Sequence, residues 1–325
     1  MTAPLRIAAV VVSYNRLTAL QETVTRLLAE DLDHVLVVDN ASTDGTAAWL
    51  AGQHDPRLTH LRLPDNRGGA GGFEAGMAAV TAAHDPDWTV LLDDDARPEA
   101  GAIGAFRAGR FGAEGVIAAA VTYPGGGICE MNRPSQNPFW HGRVLLGALR
   151  GGRGGFHVTD ADYAPAAAPR PIDIASFVGF FVHRDAVRRG GLPEGGLFLY
   201  GDDVLYSLRL RRAGIAFAFW PAVRFEHDCA TMGSGLIYRP LWKAYYHCRN
   251  GVSISRQAAG PVMFPFALAY YLVAWARKAR HYDGAEREVY RRLMWMGVRD
   301  GLRGRRGRND AAHRIATLGA AGAKG

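Results

Sequence analysis

Residues 87–100 read DWTVLLDDDARPEA, an apolar run, Val90-Leu91-Leu92, that closes on three consecutive aspartates, Asp93, Asp94 and Asp95. Like charges packed side by side at a strand end cost free energy unless a cation sits among them. In extended chain alternate side chains point the same way, so Asp93 and Asp95 are placed to share one ligand while Asp94 faces elsewhere. Taken alone, the run is explained more simply by a solvated acidic turn ahead of Pro98 and Glu99, leading into the next helix.

The flanking chain changes that balance. RIAAVVVSY is followed by a helical pattern over about 18–30, HVLVVDN by one over about 43–52, and LTHLRLP by a glycine-rich turn and one over about 71–83. Short Val- and Leu-rich runs separated by amphipathic helices predict an α/β fold whose mostly parallel sheet is covered on both faces. In such sheets ligands collect at the carboxyl ends of the strands. Ser13, Tyr14 and Arg16, then Asp39, then Asn66, then Asp93 to Asp95 all fall at those ends. Gly68 and Gly69, in NRGGAGGFEAG, let backbone approach a ligand and open a helix N-terminus suited to an anion. The stretch is neither a GxGxxG nor a GxxxxGK[ST] fingerprint. Residues 151–171 read as a loop, 172–191 as a buried strand and short helix, and LFLYGDDVLYSLRLRRAG as an acidic turn opening a helix with Leu205, Leu208 and Leu210 inside. AFAFWPAVRFEHD ends a last apolar run on His227.

The chain of 325 residues, 48% hydrophobic, carries a real core. Its three cysteines, Cys129, Cys229 and Cys248, show no metal-type spacing in sequence and point to a reducing compartment. The N-terminal apolar run, Ile7 to Val12, is a first strand rather than a secretory signal. Charge is uneven. From Arg239 onward there are 17 Lys and Arg against 5 Asp and Glu, while the preceding 238 residues hold 21 against 26. A basic tail on an acidic body points to an anionic partner, membrane or nucleic acid. Within it, residues 261–276 are apolar, interrupted by Pro265, and then abruptly basic. That length is marginal for spanning a bilayer. It predicts an interfacial helix with Tyr270, Tyr271 and Trp275 at headgroup level and Arg277, Lys278 and Arg280 on anionic lipid. Packing of the same helix on the main domain is the competing expectation.

VVVSYNR, VLVVDNASTDGT, NRGGAGGF, LLDDDA, LYGDDVLYSLRLRRAG and FEHD, in this order and spacing, resemble a family 2 glycosyltransferase with the GT-A fold over roughly residues 5–255. With YYHCRN added, the set looks more narrowly like the bacterial galactofuranosyltransferases, with rhamnosyltransferases as near neighbours in pattern. The resemblance implies a GT-A domain over 1–255, with a nucleotide-sugar-binding half (1–125) and an acceptor and catalytic half (126–255). Residues 256–325 form a C-terminal amphipathic helical extension. It implies that Asp39 accepts a hydrogen bond from uracil in a pocket completed by Ser13, Tyr14 and Arg16. It further implies that Asp93, Asp95 and His227 hold Mn2+ or Mg2+ against the donor diphosphate, and that Asp203 is the base that deprotonates the acceptor hydroxyl, with Asp202 in support. Asp94, facing away from that pair, is expected to turn toward the ribose of the bound nucleotide or toward the fold. His247 matches a position near the donor phosphates, with Arg249 open equally to assisting there or to pairing with an acidic residue inside the fold, and Phe180 and Phe181 match aromatic residues against the sugar; Trp220 is as well placed for core as for platform. One base without a separate nucleophile implies single displacement with inversion.

The expected reaction is thus sugar transfer from a UDP-sugar, best UDP-galactofuranose, to a glycan or lipid-linked acceptor in cell-surface polysaccharide synthesis, peripheral at the inner face of a bacterial membrane. The chain is shorter than the large polymerising galactofuranosyltransferases, which favours addition of one or a few sugars. A dTDP-rhamnose donor is the rival within the same chemistry. A nucleotidyltransferase would need a glycine-rich loop straight after the first strand, where SYNRLTALQE stands instead. A nucleic-acid partner rests on the basic tail alone and no binding motif supports it. A homo-oligomer is left open.

Overall fold

The computed structural model describes residues 5–229 and 237–322. Its first half is the alternation expected from sequence. β1 (Ile7–Ser13), α1 (Leu17–Leu28), β2 (His34–Asp39), α2 (Thr46–Ala51), β3 (Leu58–Arg62), α3 (Gly68–His84) and β4 (Trp88–Asp93) follow one another. β5 (Ala96–Pro98), α4 (Ala102–Ala108), β6 (Glu114–Thr122), α5 (Gly142–Gly151), β7 (Arg170–Ile172), β8 (Phe180–His183), α6 (Arg184–Gly190), α7 (Asp202–Arg212) and β9 (Ala216–His227) complete the sheet layer. The strand order is β3-β2-β1-β4-β8-β6-β9-β5, with β7 also paired to β9. β1 to β4 run parallel to one another, as do β6 and β9, whereas β8, β5 and β7 run antiparallel to the strands they pair with. The sheet is therefore mixed, and mostly parallel.

Two apolar layers cover it. One face packs against α3, with Val10, Val12, Val38, Phe73, Met77 and Phe180 in contact. The other packs against α1 and α4, through Val11, Val24, Leu27, Leu92, Phe106 and Phe181. α3 lies very close to the sheet: a Cβ on Gly72 would fall 2.4 Å from Val12 Cγ1.

α8 (Lys243–Lys278), α9 (Gly284–Leu302) and α10 (Asp310–Gly322) form a separate core with Tyr245, Tyr246, Trp275, Tyr290 and Leu293 at its centre. α8 runs across residue 255 and bends at Gly260, which takes φ 68° ahead of Pro261. Beyond the bend α8 is two-faced. Ala267 is buried and Trp275 is buried in the core shared with α9, while Val262, Phe266 and Tyr270 are exposed, at 78%, 68% and 70%. Among the described residues this is one helix, Lys243–His281, long and apolar enough to cross a membrane. The expected place of Trp275 among the outward aromatics is corrected: it lies under Gly251, stacked on Tyr271, because its position falls on the α9 side of the helix. Lys278 likewise turns inward, donating to Tyr238 Oη at 3.0 Å, so Arg277 and Arg280 carry the outward charge.

Candidate active site

The sheet register gathers the acidic residues. Ser13 pairs with Asp39 across β1 and β2, and Val12 pairs with Asp93 across β1 and β4, so all three strands end at one edge. β5 then folds back along β9 with Ala96 opposite His227, which sets His227 beside Asp95. Asp93, Asp95 and His227 each offer a ligand atom, all within 4.8 Å of one another. His227 Nε2 is 3.2 Å from Asp95 Oδ1, and its Nδ1 is 2.7 Å from Asn132 Oδ1. Asn132 in turn donates to Ser176 Oγ through its own amide, which aims its oxygen at the ring. With the ring proton on Nδ1 and given to Asn132, the Nε2 lone pair faces the carboxylate, an arrangement suited to a cation between them.

Electrostatics supports the same view. Burial, together with Asp95, Asp94, Asp202 and Asp203, pushes the Asp93 carboxyl well above the usual range. For Asp95 burial also acts upward, but hydrogen bonding and charge from His227 and Arg16 outweigh it and lower the pKa. Asp94 does face elsewhere. Its Oδ2 accepts from Ser13 Oγ at 2.9 Å, its Oδ1 lies 3.3 Å from Arg16 Nη1, and its backbone oxygen accepts from Thr23. Arg16 Nη1 also donates to Asp95 at 2.6 Å, tying the loop after β1 to the acidic turn. Asp94 thus holds the β1 loop rather than opening toward a donor, while Tyr14 stands exposed beside it.

Asp202 and Asp203 open α7, next to Asp93. Burial and then the neighbouring Asp203 raise Asp202 to about 7, and burial raises Asp203 to about 6. Asp203 keeps a hydrogen bond from the Val204 amide at 2.7 Å. The preceding loop is wound tightly, with positive φ at Phe198, Tyr200 and Gly201. Asn250 on α8 holds it by donating to the carbonyls of Leu197, Leu199 and Tyr200. Arg249 is corrected here. It is fully buried, stacked on Tyr245 and Tyr246, and donates to the carbonyls of Leu197 and Gly307, so its guanidinium is engaged in bracing the loop carrying Asp202 and Asp203. His247 lies among Tyr200, Tyr238 and Trp275, and burial with nearby Lys278 lowers its pKa to about 4, leaving it neutral.

At the other end of the cleft Asp39 is fully buried. Its Oδ1 accepts from the Ser42 amide at 2.8 Å, and its Oδ2 has no hydrogen bond, with Arg62 Nη1 at 3.5 Å. Asn66 Oδ1 caps the Gly68 amide at 2.8 Å. Gly68 takes φ 70°, and a Cβ there would meet Phe198 O at 1.9 Å, so the glycine turn and the loop leading to Asp202 and Asp203 are fitted to each other. Around Gly69 the space is open.

Phe180 and Phe181 do not face an acceptor. β8 is a central strand covered on both sides, so consecutive phenylalanines are buried in opposite layers. Trp220 packs edge-on to Phe111 at the far end of the sheet, near Trp88, away from the aspartates. Residues that the sequence reading missed include Asn132, Thr23, Asn250 and Lys243. Lys243, at the start of α8, is half-buried; burial and the charge of nearby Arg16 lower its pKa. None of the four sits in a periodic or repeated pattern that would single it out.

Comparison with known proteins fits this geometry. Residues 8–148 match the family model described as Glycosyl transferase family 2. The chain carries a family 2 glycosyltransferase domain. The galactofuranosyltransferase GlfT1 of Mycolicibacterium smegmatis is 29% identical to this glycosyltransferase over 239 residues, 69% of this chain and 72% of that protein. The Pyrobaculum calidifontis mannosyltransferase PcManGT, solved with GDP-Man and Mn2+, aligns with TM-score 0.53 and 17% identity over 98% of this chain and 87% of that one. GalNAc-T7, solved with UDP, GalNAc and Mn2+, aligns with TM-score 0.53 and 13% identity over 83% and 57%. At such identities the solved structures show the fold, which is GT-A.

Proposed function

We propose that this glycosyltransferase transfers a sugar, best galactofuranose from UDP-galactofuranose, with inversion and with a divalent cation, to a glycan or lipid-linked acceptor. The observation that carries this is the convergence of Asp93, Asp95 and His227 with Asp202 and Asp203 at one sheet edge. The donor set of two carboxylates and one imidazole fits Mn2+ or Mg2+, with the imidazole favouring Mn2+. Asp93, Asp95 and His227 would hold the ion, which when bound offsets charge on the departing diphosphate. Arg16 fixes Asp95, and Lys243 adds positive charge beside it. Asp39, buried with an oxygen that lacks a hydrogen bond, is suited to an N–H of the donor base. Asp203 accepts the proton of the acceptor hydroxyl as that oxygen attacks. Asp202, next to it, is raised further by burial and by the charge of Asp203, and so holds its proton to higher pH.

With Asp203 raised to about 6, the base is protonated below that pH and competent above it. Turnover is therefore expected to rise roughly tenfold per pH unit below about 6 and to level off above it. A flat profile from pH 5 to 8 would count against Asp203. The donor is read by incubating the enzyme and Mn2+ with UDP-galactofuranose, UDP-galactose, UDP-glucose or dTDP-rhamnose and following nucleotide release by mass spectrometry. Release fastest from UDP-galactofuranose is expected. Preference for dTDP-rhamnose would move the assignment to the rhamnosyltransferases.

We also infer peripheral attachment at the inner face of the membrane. The outward face of α8, with Val262, Phe266 and Tyr270, is followed by Arg277 and Arg280, an apolar strip with a basic margin. In flotation with vesicles containing anionic lipid, Phe266→Asp with Tyr270→Asp is expected to release most of the protein from the lipid layer. Unchanged flotation would leave that face without a membrane role.

A further inference from the structure

Cys129 and Cys229, a hundred residues apart, meet behind His227, on the side away from the aspartates. Their sulfurs are 3.8 Å apart, and Cys129 Sγ is 3.9 Å from His227 Nδ1. One ligand atom from each of the three lies within 4.8 Å of the others. Sugar transfer as proposed uses neither thiol, and both are free.

The spacing is that of a tetrahedral site. With zinc–sulfur bonds of about 2.3 Å and zinc–nitrogen bonds of about 2.0 Å, tetrahedral edges are about 3.8 Å between two sulfurs and about 3.5 Å between sulfur and nitrogen. The sulfur–sulfur separation of 3.8 Å matches its edge, the 3.9 Å between Cys129 Sγ and His227 Nδ1 is somewhat longer than its edge, and all three ligand atoms lie within 4.8 Å of one another. A disulfide would instead require closure to about 2.05 Å. Asn132 Oδ1, 2.9 Å from Cys129 Sγ and 2.7 Å from His227 Nδ1, accepts hydrogen bonds from both, contacts that an ion held by the sulfur and the ring nitrogen would replace. The second ring nitrogen is compatible with this site in the other tautomer. Asp95 Oδ1 lies 3.2 Å from Nε2, in the place taken by the carboxylate that receives the remaining N–H of a metal-bound histidine.

We propose that Cys129, Cys229 and His227 Nδ1 form a second cation site, selective for a thiophilic divalent ion such as Zn2+. Two thiolates and an imidazole select such an ion over Mg2+ or Mn2+. Occupancy of this site excludes His227 from the donor-cation site, a consequence that rests on the function proposed above. A neutral imidazole has one lone pair and one proton. When Nδ1 binds the soft ion, the proton resides on Nε2 and is donated to Asp95. When Nδ1–H is donated to Asn132, Nε2 is free for the hard cation.

The test titrates Co2+ into the full chain with a non-thiol reductant present and reads the band that only thiolate ligands give, to which the carboxylate site contributes nothing. Thiolate-to-cobalt charge-transfer absorption is expected, saturating at about one ion per chain and erased by an equivalent of Zn2+. Cys229→Ser and, separately, Cys129→Ser should lose most of it, whereas Asp93→Asn should keep it. Cys229 is partly exposed, so its serine variant spares the core, and circular dichroism confirms its fold. Cobalt absorption without a thiolate band, or a band undiminished in both serine variants, overturns the second site while leaving the donor site standing. For the exclusion, Zn2+-loaded chain is expected to bind Mn2+ with UDP at least tenfold more weakly than zinc-free chain. Equal binding overturns it.

Discussion

Asp203→Asn is expected to lower the transfer rate by about 10²–10⁴-fold, while UDP still binds in the presence of Mn2+. The amide keeps the shape of the carboxylate and its hydrogen bond from the Val204 amide, but it cannot take the acceptor's proton. A loss of that size corresponds to about 3–5 kcal/mol of barrier, more than a surface contact supplies. Calorimetry separates the roles. An equal loss of UDP affinity would make Asp203 a binding residue, and the proton would then leave through another group. The same substitution removes a charge that burial holds at a raised pKa. A carboxylate raised from its unfolded value contributes stability below about pH 4 and loses it as pH climbs through about 6. Near pH 8 the variant should therefore melt no lower than the parent, so a fall in activity there reflects chemistry and not unfolding.

Asp95→Asn is expected to lower cation-dependent turnover about 10³-fold and to weaken Mn2+ binding on the order of 10²-fold. Asp95 is the member of the cluster whose pKa is lowered, ionised between Arg16 and His227, and so is the one that presents full charge. Manganese electron paramagnetic resonance reads the free ion directly. Turnover that persists in the variant, or in the parent with chelator present, would remove the cation from the reaction.

Much of this arrangement is legible in the sequence because a parallel sheet sorts residues by position. Apolar runs that end on Ser13, Asp39 and Asp93 must end at the same edge, and they do. The glycine turn is legible for the same reason, since few residues other than glycine take the φ of 70° at Gly68. Phe180 and Phe181 misled because a short central strand buries both faces, so adjacency in sequence says nothing about a shared surface. Arg249 misled because a buried arginine that satisfies carbonyls is indistinguishable, in sequence, from one awaiting a phosphate. Asn132, Cys129 and Cys229 lie in segments without periodicity. Their meeting at His227 depends on β5 folding back along β9 and on the turn after β6, which no local pattern announces.

The most direct measurement is calorimetric titration of UDP into the full chain with and without Mn2+. Binding that requires Mn2+, survives Asp203→Asn and is lost in Asp95→Asn is the expected result. UDP binding that is equal with and without the ion, or absent altogether, would contradict a cation and diphosphate site at Asp93, Asp95 and His227.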